Sequence, residues 1–582
     1  MHYPKLRGRQ TRRDSIDSFS GYVHRLRIRD GELYETKDLS GDAWPLLSTR
    51  ARRGKVATLT APAGLIAKDA PCYVAGGTLY VNHLATSVTG LTEGEKQLVS
   101  MGAYLVIFPD KVWYNTQDPS DTGSLEASYA SLGSVRYVPC DVFGEPYTIA
   151  HTGSSEPTDP AGGDIWVDES EGTVYRQWSA ADGIWVEIPT VYTKICFTSR
   201  GEIPRLFRQY DGVTISGSQK DELNGEKILY AVGGDTDSDD FAVVVGLLEA
   251  AYTDEGSGIR LERRVPDLDY VCECQNRLWG CRYGIREGRT VNAIYASALG
   301  DPRNFFQFLG LSTDSWAASV GSDGPWTGAV SYLGRPCFFK EERIHTVTVS
   351  ASGAHRLDET VCRGVQKGSW KSLQVVGETL LYKSRTDICA WQGGFPQSVS
   401  EQLGDVLYYQ AVAGSVGEKY YVSMRDGKGA WSLFTYDRVK KLWYREDGLH
   451  ALAFAACDDS LYCIDAGSGE LLDLLGAVGT PESGIHWSCE TGIQGWRWPD
   501  RKYLSRYDFT LRLEQDASLQ AKIEYDSSGI WEDAGSIRGG GMGTRVLPVR
   551  PRRCDHLRIR LEGEGEMQLF SIARILEIGS DR

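Results

Sequence analysis

The sequence predicts an all-β protein: a six- or seven-bladed β-propeller with inserted small β-modules and a C-terminal β-sandwich. Three observations lead there. Short runs of β-branched and aromatic residues alternate with Gly or Asp turns along most of the 582 residues. Turns at Gly334, Gly377, Gly417 and Asp459 recur about every 40 residues, the period of a four-stranded blade. The content of 16 Trp, 30 Tyr and 65 Gly against 5 Met favours short strands and tight turns over long helices.

In chain order, residues 1–55 read as a basic N-terminal arm and hairpin. Val23, Leu26, Ile28, Leu33 and Tyr34 suit strands turning at Asp30-Gly31. The cluster Arg50, Arg52, Arg53 and Lys55 is either a solvated turn or an arm gripping a neighbouring subunit or partner. This segment holds 13 Lys and Arg against 7 Asp and Glu, so it is +6 while the rest of the chain is −21. An acidic body is a poor nucleic-acid binder.

Residues 56–116 hold the first propeller strands, around Cys72, Leu79, Tyr104 and Val112. Residues 117–266 interrupt the repeat with inserted β-modules. Residues 156–189 form a module with Trp166, Trp178 and Trp185, a candidate surface aromatic patch that either stacks on sugars or forms the module's own core. Residues 207–250 suggest a small barrel. The main blades return over 267–475, and alternating strands over 485–582 make one sandwich. Within it, residues 538–543 read as a flexible glycine-rich loop.

Thirteen scattered cysteines without a CxxC suit free thiols better than a zinc site. No run approaches the roughly 20 apolar residues of a membrane span. The basic N-terminus lacks the apolar stretch of a secretory signal. Asp235 to Asp240 imitates a calcium loop, but Asp240 and Gly246 stand where its Gly and Glu belong. No nucleophile elbow or P-loop occurs, and the sialidase turn is approached with the wrong spacing at Ser179, Asp182 and Trp185 and at Ser423, Asp426 and Trp431. His83, His345 and His450 sit near strand ends, where a structural role is the default. The expectation is therefore no enzyme, no catalytic, metal or cofactor-binding residue, and no cofactor.

The stretch Arg277-Leu-Trp-Gly280, followed by Asn292-Ala-Ile-Tyr-Ala-Ser-Ala-Leu-Gly-Asp-Pro302-Arg-Asn-Phe305, resembles the tail hub or nozzle (tail tubular or stabilisation) proteins of tailed bacteriophages. The likeness extends through Ser322-Asp-Gly-Pro-Trp-Thr-Gly-Ala-Val-Ser-Tyr332 and Phe338-Phe-Lys-Glu-Glu-Arg-Ile344 and covers about half the chain. It implies a structural virion protein, made in the host cytoplasm without a signal peptide. Such a protein closes with copies of itself into a ring, a hexamer by resemblance, that forms the DNA-ejection channel. It also implies contacts with tail adaptor or portal-proximal proteins and with tail fibres or tip, and transient, non-specific passage of phage DNA. The alternative is a receptor-binding or glycan-cleaving propeller at the virion surface. Gly280, Gly284 and Gly288 precede a strand and not a helix N-terminus, so they mark a blade hairpin and not a phosphate cradle.

Overall fold

The computed structural model describes residues 10–578 except 236, 256–257, 287, 351–352 and 496–500. Among these, six four-stranded antiparallel meanders span 62–85, 97–124, 270–319, 328–361, 374–398 and 408–445, and a seventh, five-stranded sheet is built from 451–473, Gly54–Thr58 and Thr480–Pro481. The fourth strand of the seventh sheet is Gly54–Thr58, which pairs with Glu470–Asp473. The start of the propeller is thus fastened to its end.

The ring closes because each sheet is apolar on both faces. In the first blade, Cys72 and Val74 pack against Leu105 and Ile107 of the second. The alternate residues Tyr73 and Ala75 pack against Tyr462 and Ile464 of the seventh. Side chains on a strand point alternately to its two faces, so a continuous apolar run is what a blade between two neighbours requires. Each of the seven blade-to-blade contacts has its own buried cluster. Neighbouring first strands, or the single turn Trp370–Ser372 that precedes the fifth blade, touch around the whole cycle.

The C-terminal sandwich recruits the N-terminus. One sheet contains Leu39–Ser40, Leu47–Thr49, Met567–Ile578, Lys502–Leu513 and Gly541–Pro548, with Gln10–Ile16 paired to Met567–Ile578. The other contains Leu33–Lys37, His486–Thr491, Leu557–Glu564, Ser518–Tyr525 and Trp531–Arg538. The expected hairpin at Asp30-Gly31 does not form, because Leu33–Lys37 pairs with His486–Thr491 instead. The expected loop at 538–543 is a turn between two strands, with Met542 and Gly543 inside the second. Glycine is tolerated there because that strand borders only one neighbour and is mostly exposed.

Sandwich and sixth blade interlock. Tyr22 N donates to Trp443 O (2.6 Å), and Thr36 Oγ1 bonds both Arg445 O (3.0 Å) and Arg445 N (2.9 Å). A Cβ at Gly21, where φ is +78°, would meet Trp443 O at 2.5 Å.

Between the second and third blades lies a two-sheet body larger than the barrel expected over 207–250. It uses Ala127–Ala130 and Val135–Cys140 as well as strands between Tyr192 and Arg263, around a common core. The Trp-rich module is nested within this body and begins earlier than the sequence suggests. Its first strand, Ile149–Gly153, runs parallel to Ile165–Asp168.

Candidate functional site

The four basic residues predicted as a contact cluster hold the chain's own parts together. Arg50 donates from Nε to Asp38 Oδ1 (2.6 Å) and also grips the Glu482 carboxylate through Nη1 and through Nη2 (3.2 Å). Arg53 reaches Glu446 Oε2 (2.9 Å) and Asp447 Oδ2 (2.5 Å). Arg52 pairs with Glu514 (3.1 Å) and Glu566 (3.0 Å), and Lys55 with Glu470. The cluster therefore bridges the sandwich and the sixth and seventh blades at the point where the chain crosses between them. It is not a free arm; Arg50 and Arg53 are buried. Burial alone would raise the Asp447 carboxyl, but the Arg53 guanidinium outweighs it and holds the carboxyl below its usual range. Glu482 is held low by Arg50 in the same way.

The three tryptophans come together on one face of the nested module. Ile165 and Val167 point to its core, so Trp166 points to the other side. Trp185 packs edge-on against both Trp166 and Trp178, with centroids 5.5 and 5.3 Å apart. Trp166 is buried and donates to Gly153 O (3.0 Å), while Trp178 and Trp185 are half-exposed. The face is thus a self-packed aromatic cluster with part of its surface open.

The stretch behind the resemblance has structural duties. Leu278–Arg286 and Arg289–Ala296 are the paired central strands of the third blade. Arg277 is buried and donates to the carbonyls of Ser297, Asp314 and Ser312 at 2.5–2.8 Å. The connector that follows seats the inserted body. Asn304 donates to Tyr210 O (2.8 Å) and accepts from Gly212 N (3.2 Å). A Cβ on Gly212 would meet Phe306 O at 2.3 Å, so glycine permits this approach.

The propeller's axis is narrow. Leu65, Leu98, Val330, Leu373, Ala413 and Phe454, from five blades and the turn before the fifth, surround a cavity of about 170 Å³. That holds about six waters at about 30 Å³ each. Two ion-paired lysines line it: Lys96 contacts Asp110 (2.6 Å), and Lys371 contacts Glu95 (2.6 Å) and donates to Leu452 O (2.6 Å). The lining contains no Asp or Glu, whereas glycoside hydrolysis uses two facing carboxyl groups.

Sequence reasoning missed a buried polar cluster beside the start of the fourth blade. His345 Nε2 lies 3.0 Å from Ser322 Oγ and 3.2 Å from Glu359 Oε2. Lys340 donates to Ser322 O (2.5 Å) and stacks over Trp326 (4.6 Å). Burial pushes the His345 pKa down to about 4 against the opposing pull of Glu359. Serine and glutamate both address the same nitrogen, so the group is not arranged as a Ser-His-acid relay, which uses both ring nitrogens. Lys340 ending an apolar run was the available signal. Asp240, from the calcium-like stretch, instead accepts from Ser199 Oγ and the backbone N–H groups of Gly201, Glu202 and Ile203 at 2.6–3.1 Å. His83 packs its ring near Tyr73, and His450 stacks on Trp431 at 3.7 Å. All thirteen cysteines are free thiols.

No family model and no curated protein matches the chain. Among solved structures, one titled a glycoside hydrolase is 8% identical with a TM-score of 0.19, covering 52% of this chain and 96% of its own. An exo-β-1,3-galactanase from Phanerochaete chrysosporium with galactose is 8% identical with a TM-score of 0.19, covering 75% and 99%. These neighbours correct the expectation of no enzyme, since one is titled a glycoside hydrolase and the other an exo-β-1,3-galactanase. At such low similarity they assign no residue, substrate or reaction to this chain.

Proposed function

We propose that the chain is a structural subunit of a bacteriophage tail, closing with its own copies into a nozzle or hub ring around the path of the ejected DNA and attaching other tail parts. The observation that carries this reading is where the extra bodies sit on the seven-bladed ring. The inserted body leaves between blades two and three, and the sandwich packs on blade six. By blade order these are opposite sides. A cyclic, head-to-tail assembly needs two unlike faces on each subunit, and this layout supplies them. In this reading the DNA path lies between subunits and not through the propeller, whose axial cavity is narrow. Sedimentation of the purified protein tests the reading: a closed ring is expected, and a persistent monomer or trimer overturns it.

The half-open tryptophan face supports a second reading, a receptor-binding or glycan-cleaving role at the virion surface. Binding to host envelope polysaccharide, or release of reducing sugar from it, that is lost in Trp178→Ala tests this alternative.

A further inference from the structure

A cleft of about 780 Å³ lies between the sandwich and the connection into the sixth blade and is lined by Arg12, Arg25, Arg27, Arg29 and Arg574. Three of the four acids that line it are already engaged. Asp30 takes both Nη atoms of Arg574 (3.1 and 2.8 Å), Asp14 pairs with Arg12 (3.3 Å), and Glu32 accepts from Arg29 N (2.7 Å). Arg25 donates to the Glu401 carbonyl (3.1 Å). Among the described residues, neither Arg25 nor Arg29 has a carboxylate partner, and both are exposed. An open cleft holding such guanidinium groups suits an anion, because arginine forms forked hydrogen bonds with carboxylates and phosphates.

The complementary charge is on the opposite side of the same chain. Residues 117–266 hold 26 Asp and Glu against 11 Lys and Arg, a net of −15, which equals the net charge of the whole chain. The other 432 residues are balanced, with 52 of each sign. Within the insertion, residues 149–187 hold eight acidic residues and a single cation, Arg176. That cation is spent on Asp168 (3.0 Å). The hairpin end between Ile165–Asp168 and Val174–Ser179 carries exposed Glu169 and Glu171.

We propose that the arginine cleft of one copy receives the acidic nested module of the next copy, with Glu169 and Glu171 facing Arg25 and Arg29. This deepens the ring reading and rests on it. Cleft and module belong to bodies on opposite sides of the propeller, so each copy offers one to each neighbour. The contact is heterologous and propagates until the rotation closes. Its strength falls with salt, as contacts between exposed charges do.

The test is sedimentation of the full-length chain at about 0.1 M and about 1 M salt, where the screening length falls from about 10 Å to about 3 Å. It compares wild type, Arg25→Glu/Arg29→Glu, Glu169→Lys/Glu171→Lys and the chain carrying all four reversals. The four positions are exposed, so each variant keeps the wild-type melting curve. The expected result is a salt-sensitive ring for wild type and a shift of at least about tenfold in the assembling concentration for each double reversal. The fourfold variant recovers assembly. A wild-type ring indifferent to both reversals overturns this contact and leaves the ring reading standing. A wild type that stays monomeric overturns both. Capture of duplex DNA by wild type, lost in Arg25→Glu/Arg29→Glu while Glu169→Lys/Glu171→Lys changes nothing, overturns the contact in favour of a nucleic-acid cleft.

Discussion

Arg53 and Arg52 are adjacent in sequence and differ in what surrounds them. The Arg53 side chain is 8% exposed between Glu446 and Asp447, while Arg52 is 35% exposed between two half-open glutamates. Removing one partner of a buried pair strands a desolvated charge and costs about 3–5 kcal/mol, whereas exposed pairs contribute at most about 1 kcal/mol. Urea unfolding of Arg53→Met and Arg52→Met is expected to separate by that margin, with Arg53→Met the less stable. His345 gives a pH test. Its folded pKa, near 4, lies below the ordinary 6.5, so the unfolded chain binds the proton more readily between those values. Stability present above pH 6.5 is lost as pH falls towards 4, by up to about 3 kcal/mol. His345→Gln is expected to flatten the fall in unfolding free energy between pH 7 and pH 4.5.

At the scale of elements, the strand Gly54–Thr58 decides whether the propeller is a ring. A Cβ at Gly54 would meet Val478 O at 1.8 Å, so Gly54→Val pushes the strand off its partner. Overpacking of this kind costs about 3 kcal/mol. The released seventh blade is expected to exchange its amide hydrogens over 460–473 faster than the rest of the propeller. The blades themselves were legible because a strand buried on both faces must be apolar throughout, as in Tyr104-Leu-Val-Ile-Phe108. The closing role of this strand was not legible, because Gly-Lys-Val-Ala-Thr is short and has no continuous apolar run, and its partner lies more than 400 residues away. Distance also hid the N-terminal strands of the sandwich, since pairing with His486–Thr491 and Met567–Ile578 leaves no local turn to read. The basic cluster was visible as charge. Its intramolecular role was not, because Glu446, Asp447 and Glu482 approach it only once the chain has folded.

For the whole molecule, the nested module is structurally separable. Cys140 and Tyr192, which flank it, are paired residues on adjacent strands, so a two-residue Asn-Gly turn can replace residues 141–191 without moving either strand. The surrounding body keeps its own core of Val135, Tyr137, Ile195, Phe197 and Ala242. The module's ties to it include the Tyr175 hydroxyl donating to Leu248 O (2.6 Å), Tyr147 N donating to Pro139 O (3.0 Å) and Gly246 N donating to Val191 O (3.2 Å). Each net hydrogen bond contributes about 1 kcal/mol, and in a chain of this size losing these moves the melting temperature by only a few degrees. The shortened chain is therefore expected to unfold cooperatively near the wild-type temperature. If the acidic module fills the neighbouring cleft, the same deletion abolishes ring assembly while leaving the monomer folded. Calorimetry and sedimentation on one sample read the two outcomes separately. A folded, shortened chain that still closes into rings removes the module from the interface, and a chain that fails to fold contradicts its separability.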